Sequence, residues 1–349
     1  MNDSTVPPTT PAAASAAVAP APVDPAPVDP AAAQWAIASA QRMRGEIQKA
    51  VVGQHENVEQ VLLGFLAAGH VLLEGVPGLG KTLLMLALAR TFGGRSARVQ
   101  FTPDLMPSDV TGHVVLDTAT GSLRVKRGPA FTNLLLADEI NRASAKTQSA
   151  LLEVMQEGQI TIEGESLRVE PPFMAIATQN PVEQEGTYPL PEAQLDRFLL
   201  HVAIGYPTED EEVAIVRQVA DGRAGDRLDV ERVQSVVDCA QAVELQRITS
   251  RLRVDPAVAA YAVRIARATR AWRGIALGAG PRGPIALVRV ARAKALLEGR
   301  TYVIPADVKS VALPALRHRI TLAPDLELEG VQRDEVLRAV LAKVEAPRA

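Results

Sequence analysis

The chain has 349 residues, 47% hydrophobic and 22% charged, which is apolar material for about two or three domains with real cores. Its 37 Lys and Arg against 40 Asp and Glu leave a net charge of −3, which argues against a protein that coats nucleic acid or anionic membrane by bulk charge. One cysteine, Cys239, excludes an internal disulfide, and no Cys/His cluster has zinc-site spacing.

The first Lys or Arg is Arg42, so the charged head of a secretory signal is missing. The longest apolar run, Leu83 to Ala89, is far short of the roughly 20 residues that span a bilayer. These features predict a cytoplasmic protein without an integral membrane segment.

Taken in chain order, residues 1–34 are rich in Pro and Ala, with Pro-Val-Asp-Pro occurring twice (Pro22 to Pro25, Pro27 to Pro30). So little large apolar surface cannot offset the entropy of ordering, and a disordered or polyproline-like tail is expected. From Trp35 to Tyr206 short apolar runs alternate with helical stretches. Strands are expected at Val71 to Glu74, Ala97 to Phe101, Asn133 to Ala137, Phe173 to Ala177 and Phe198 to Ile204. Helices are expected at Thr82 to Thr91 and Ala145 to Gln156. Continuous apolar strands separated by helices predict a parallel sheet covered on both faces. Two exposed hairpins interrupt the scheme, at about 111–128 with its turn near Asp117 to Gly121, and at about 159–169. After Pro207 the pattern is helical: Glu209 to Ala220, Val230 to Leu245, Pro256 to Arg273, Pro284 to Glu298 and Ala306 to Leu316. The chain thus divides into a tail (1–34), an α/β core (35–206) and a second, all-helical domain (207–349).

Gly75-Val76-Pro77-Gly78-Leu79-Gly80-Lys81-Thr82 matches the phosphate-loop pattern G-x-x-x-x-G-K-[ST] between a predicted buried strand and a helix. Glycines let backbone N–H groups converge on phosphate oxygens, and the helix N-terminus adds partial positive charge. Lys81 is expected to reach the β- and γ-phosphates, and the Thr82 hydroxyl to bind Mg²⁺. The strand Leu134 to Ala137 ends in Asp138-Glu139, paired acids that need a cation beside them. A magnesium nucleotide supplies one, with Asp138 on the metal and Glu139 as general base toward water. A further strand ends at Asn180, whose amide can orient that water; the plain alternative is a turn Asn before Pro181.

These motifs, with Leu-Leu-Leu-Ala-Asp-Glu-Ile-Asn-Arg (134–142), Ala-Thr-Gln-Asn-Pro (177–181), Pro-Glu-Ala-Gln-Leu-Asp-Arg-Phe (191–198) and an early Val52-Gly53-Gln54, closely resemble the MoxR branch of the AAA+ ATPases. The likeness runs from Trp35 to the C-terminal region. It implies an AAA+ P-loop NTPase core with a parallel five-stranded sheet flanked by helices, plus a smaller all-α lid. Gly75 to Thr82 become Walker A, Asp138 and Glu139 Walker B, and Asn180 sensor 1. Arg197 takes the place of the arginine finger that acts on a neighbouring subunit's nucleotide, and Arg282, after Gly280-Pro281, that of sensor 2. Many relatives have Ser where Gly280 stands. Val52 and Gly53 would line the adenine pocket. The hairpins correspond to the helix-2 insert and the pre-sensor-1 hairpin, which are thought to engage substrates or partners. The plain alternative for Arg197 is an ion pair with Asp196 or Glu192.

Arg264, Arg267, Arg270 and Arg273 recur every third residue, as do Arg289 and Arg292. With 3% aromatics and no recognised DNA-binding module, this stripe reads as a solvated or inter-subunit face rather than a nucleic-acid track. The function expected from the resemblance is a Mg²⁺-dependent ATPase forming a homo-hexameric ring. ATP binding would close the lid onto the core, and the ring would remodel client protein complexes with a von Willebrand A-domain partner. The ATPase subunit of a magnesium-chelatase-like complex is the alternative; a nucleic-acid motor and an idle nucleotide-gated scaffold rank below it.

Overall fold

The computed structural model describes residues 28–76, 78–118, 121–180, 187–220 and 230–347. Most of the expected tail, Pro77 of the phosphate loop, part of the first hairpin's turn and Pro181 lie outside these residues.

Two helices precede the sheet: α1 (Pro30–Ala50), which starts with Pro at N1 behind the Asp29 N-cap, and α2 (His55–Leu66). Residues 30–34, expected as tail, are therefore helical. The core continues with β1 (Val71–Glu74), α3 (Lys81–Thr91), β2 (Ser96–Gln100), the short α4 (Pro107–Thr111), the ribbon β3 (Gly112–Asp117) and β4 (Ser122–Arg127), then β5 (Leu134–Asp138). After α5 (Ala145–Glu157) come the second ribbon β6 (Gln159–Ile162) and β7 (Glu165–Arg168), then β8 (Met174–Gln179), the single turn α6 (Glu192–Leu195) and β9 (Leu200–Ala203).

The five long-range strands pair in parallel in the order β2-β5-β8-β1-β9. Strand alternation divides the buried side chains between two cores. Leu134, Leu136, Met174, Ile176, Val71 and Leu73 face the core that contains α1, α2 and α3, whereas Leu135, Ala137, Ala175, Ala177 and Leu72 face the one under α5. The second ribbon is not wholly exposed: Ile160 and Ile162 join the latter core, so only one of its faces is free.

The remaining helices are α7 (Glu209–Ala220), α8 (Cys239–Ser250), α9 (Pro256–Ala271), α10 (Arg282–Leu297), α11 (Pro305–Ser310), α12 (Ala312–Leu316), α13 (Pro324–Leu328) and α14 (Arg333–Lys343). The expected helix over 230–245 is corrected. Residues 230–238 lie along the end of α3, with Val236 and Val237 N–H donating to the Thr91 carbonyl, and the helix begins only after Asp238. There the Asp238 carboxylate accepts from Gln241 N–H while the Gln241 amide oxygen accepts from Asp238 N–H, a capping box. The segment over 306–316 is two short helices, and the lid is not purely helical. Residues 253–254 pair with 302–303, and 275–277 with 321–322, as short two-stranded ladders.

The lid and the core share one apolar cluster running from Met43 and Leu62 to Leu245, Leu287 and Leu296. Polar ties fix the same junction: Lys294 sits 2.6 Å from Glu59, Gln246 donates to Phe65 O at 2.7 Å, and Arg289 donates to Ala67 O and Ala68 O. The arginine stripe is thereby explained in part. Arg289 caps the end of α2, Arg270 donates to Ala279 O, and Arg292 to Leu252 O, so these three guanidiniums are tied to helix-end and loop carbonyls.

Candidate active site

In a parallel sheet every strand delivers its C-terminal end to the same edge, and loops leaving that edge make the site. Here β1 delivers Gly75 to Thr82, β5 delivers Asp138 and Glu139, and β8 delivers Asn180. Because β8 lies between β5 and β1, buried Asn180 stands between the phosphate loop and the two acids. Gly75 N–H donates to Gln179 O at 3.2 Å, which pins the loop's first residue to the end of β8.

Gly78 and Gly80 adopt left-handed φ of +86° and +71°, conformations strained for any side chain, and a Cβ on either would project into open space. Lys81 opens α3, with half-buried Thr82 beside it. Its ammonium folds back onto Gly75 O at 2.5 Å. Burial lowers the Lys81 pKa, opposed by the carboxylates of Asp138, Glu139 and Glu74. Val52 and Gly53 reach the loop through Gln54, whose amide donates to Leu79 O at 3.1 Å. Glu211 of α7 backs the turn at Gly53, where a Cβ would meet the Glu211 carboxyl at 2.6 Å. Behind the loop buried His201 lies 2.7 Å from Glu74 and holds that carboxyl below the usual carboxylate range.

The two acids are held by side chains that the sequence reading did not single out. Asp138 Oδ2 accepts from Arg98 Nη2 at 2.6 Å and Nε at 3.1 Å, and Asp138 Oδ1 accepts from Thr178 Oγ1 at 2.6 Å. Thr178 Oγ1 in turn accepts from Glu139 N–H at 2.9 Å. Glu139 has φ +57°, a left-handed backbone rare outside Gly, Asn and Asp, and its Oε2 accepts from Gln100 Nε2 at 2.6 Å with Arg142 Nε 3.2 Å away. The signal for Arg98 and Gln100 was present: two polar side chains at i and i+2 share a face of the edge strand β2, next to the strand ending in the two acids.

Arg197 and Arg282 lie elsewhere. Arg197 precedes β9, and Leu199 N–H donates to His70 O just before β1, so Arg197 belongs to the opposite edge of the sheet from the phosphate loop. The four residues of β1 separate those edges by about 13 Å. Arg282 opens α10 and lines the same cavity of about 340 Å³ as Arg197, Gly69 and His70. The lid is thus docked at this edge through α10, rather than poised with Arg282 over the chain's own phosphate loop. A Cβ at Gly280 meets nothing within 4 Å, so a Ser there fits without rearrangement. The ion-pair alternative for Arg197 is not realised. Asp196 pairs with Arg319 at 2.7 Å and faces Arg282 at 3.7 Å, and Glu192 accepts from Thr321 at 2.5 Å. Among the described residues, Arg197 makes no hydrogen bond or salt bridge through its guanidinium.

The model of the ATPase family associated with various cellular activities matches residues 70–200, and the AAA lid domain model matches residues 267–340. Chaperone MoxR1 of Mycobacterium tuberculosis is 41% identical over 87% of this chain and 81% of its own length. The chain belongs to the MoxR family of AAA+ ATPases. Uncharacterized protein YeaC of Bacillus subtilis is 44% identical over 86% of this chain and 92% of its own. A solved structure from Cytophaga hutchinsonii superimposes with a TM-score of 0.83 at 38% identity, covering 91% of this chain and 98% of that one. The 38 kDa magnesium-chelatase subunit of Acidiphilium rubrum is a more distant relative at 28% identity over 86% of this chain. As a MoxR-family ATPase the chain binds and hydrolyses ATP through an AAA+ core and lid. No helix among the described residues is long and apolar enough to cross a membrane.

Proposed function

We propose that the chain is a Mg²⁺-dependent ATPase whose active sites are completed between subunits of a homo-hexameric ring, and that the ring remodels client proteins in the cytoplasm. The observation that carries this reading is the division of the site: Lys81, Thr82, Asp138, Glu139 and Asn180 on one edge of the sheet, Arg197 and Arg282 on the other. Lys81 binds the terminal phosphates of ATP, and backbone N–H groups of Val76, Gly78, Leu79 and Gly80 surround them. Thr82 and Asp138 hold the metal, whose chemistry when bound is to neutralise charge on the β- and γ-phosphates. These residues fit it: a hydroxyl and a carboxylate offer hard oxygen donors, and Asp138 already carries a guanidinium in a cation's place. Among the described residues no cluster of three His, Cys, Asp or Glu could hold an ion unaided, which suits one that shares its ligands with substrate phosphates.

Glu139 Oε accepts the proton of the attacking water, and Asn180 orients that water. Arg197 and Arg282 enter the neighbour's site, where a permanently charged planar fork suits spreading phosphate charge. Val52 and Gly53 flank the base. The two ribbons grip the client, and the partner expected for a MoxR ring is a von Willebrand A-domain protein.

The test uses Glu139→Gln, which holds ATP, as bait in a lysate of the source cells with Mg²⁺ and ATP, and Lys81→Ala as the control. ATP-dependent capture of a von Willebrand A-domain protein is the expected result. Recovery of a tetrapyrrole-binding partner, or of nucleic acid that survives moderate salt, would replace the client reading.

A further inference from the structure

The segment bearing Arg197 is held by the lid chiefly through one side chain. Arg319 is only 8% exposed, yet its guanidinium is fully engaged. Nε donates to Asp196 Oδ1 at 2.7 Å, and Nη2 to Phe198 O at 2.7 Å and to Asp196 O at 3.3 Å. Nη1 donates to Leu199 O at 3.2 Å and to Ala315 O within the lid. The acceptors at 196, 198 and 199 flank Arg197 on both sides. His318 adds a contact at 3.0 Å from Nε2 to the same Phe198 carbonyl. The free oxygen of Asp196, Oδ2, faces Arg282 at 3.7 Å.

Burying a guanidinium is costly unless all its donors are satisfied, and an apolar side chain would hold two domains together at lower cost. What the planar fork supplies instead is geometry: several carbonyls of one irregular segment fixed at once, which the point charge of a lysine cannot do. The residue so fixed, Arg197, makes no polar contact of its own through its guanidinium among the described residues. Its direction is therefore set by its backbone.

We propose that Arg319 is a positioning residue for the arginines that act on the neighbouring subunit's ATP. It sets the 196–199 backbone that aims Arg197, and through Asp196 it tethers Arg282. This rests on the reading that Arg197 serves a neighbour's nucleotide.

The test mixes subunits. Arg319→Gln keeps its own phosphate loop, so it binds a fluorescent ATP analogue with the parent's affinity and associates like the parent. It hydrolyses ATP about 10²-fold more slowly, the loss expected from about 1 Å of misplacement. Arg319→Lys, which keeps the charge without the fork, stays as slow. Mixing Arg319→Gln with Lys81→Ala, which has intact arginines and a dead loop, restores hydrolysis at the contacts where the second serves the first. Mixing Arg319→Gln with Arg197→Ala restores nothing, since both lack the same face.

Parent-like hydrolysis by Arg319→Gln overturns the proposal. So does absence of recovery with Lys81→Ala when Arg197→Ala recovers with that same partner. If Arg197→Ala also fails to recover, the reading in trans falls, and the proposal with it. Should Arg319→Gln not fold, Asp196→Asn, which loosens both tethers at nearly constant volume, is expected to show the same mixing pattern; failure to do so overturns the proposal equally.

Discussion

At the residue scale, the chemistry of the site depends on how its two carboxylates are held. Glu139 stands in a left-handed backbone turn secured by the Thr178 hydroxyl, which also donates to Asp138, so one buried threonine orders both acids. Glu139→Gln keeps that scaffold and removes the proposed proton acceptor. Hydrolysis is expected to fall about 10²–10⁴-fold with ATP affinity retained, in single-turnover and binding measurements; unchanged turnover would remove the general-base role. Arg98 occupies the Asp138 oxygen where a metal is proposed. Arg98→Ala is expected to lower the Mg²⁺ concentration that half-saturates binding of a fluorescent ADP analogue. The shift is up to about fivefold, the factor that about 1 kcal/mol of exposed ion pair represents. A higher Mg²⁺ requirement would mean that Arg98 helps the metal instead of competing with it.

At the element scale, the sheet is tied to its flanking helix by a half-buried histidine beside β1. His70 joins β8 to α5: Ala175 N–H donates to Nδ1 at 2.9 Å, and Nε2 lies 2.9 Å from Met155 O. Burial, with the Arg289 charge adding to it and the Met155 contact opposing, lowers its pKa from 6.5 to about 4. A base whose folded pKa is depressed is neutral in the fold and contributes fully above about pH 6.5. That contribution, up to about 3 kcal/mol, is lost as pH falls from 6.5 toward 4. Buried His318, also shifted downward, acts in the same direction. His70→Gln should therefore flatten, without abolishing, the fall of Tm between pH 7 and 4.5; an unchanged slope would contradict this.

The elements themselves were unevenly legible. Strands such as Leu134 to Asp138 and the loop at Gly75 to Thr82 announce themselves locally, by continuous apolar runs and glycine spacing. Val230 to Val237 misled, because valines that pack an extended segment against α3 mimic helical spacing; the Asp238–Gln241 capping box was the better signal. The partners of Arg270, Arg289 and Arg292 are backbone carbonyls brought near only by folding, so a stripe at i, i+3 could not reveal them.

At the scale of the whole molecule, each chain presents a phosphate loop at one edge of its sheet and a pair of arginines at the other. The motifs that name these groups could be read in order along the sequence. That they face opposite ways follows only from the parallel pairing of β1 with β9 and the docking of α10 beside Gly69 and His70. In the proposed assembly such a chain would be a heterologous unit, whose head completes the tail of the next, and closure of that contact would make a ring. Hydrolysis should therefore belong to the assembly and not to the subunit. The most direct measurement is ATP turnover per subunit across a protein dilution series, with the associated fraction followed by sedimentation. Turnover is predicted to rise with association in the parent, and to stay about 10³-fold lower or less in Arg197→Ala at every concentration where it associates. Constant turnover down to monomer, or an Arg197→Ala protein as active as the parent, would contradict a site shared between subunits.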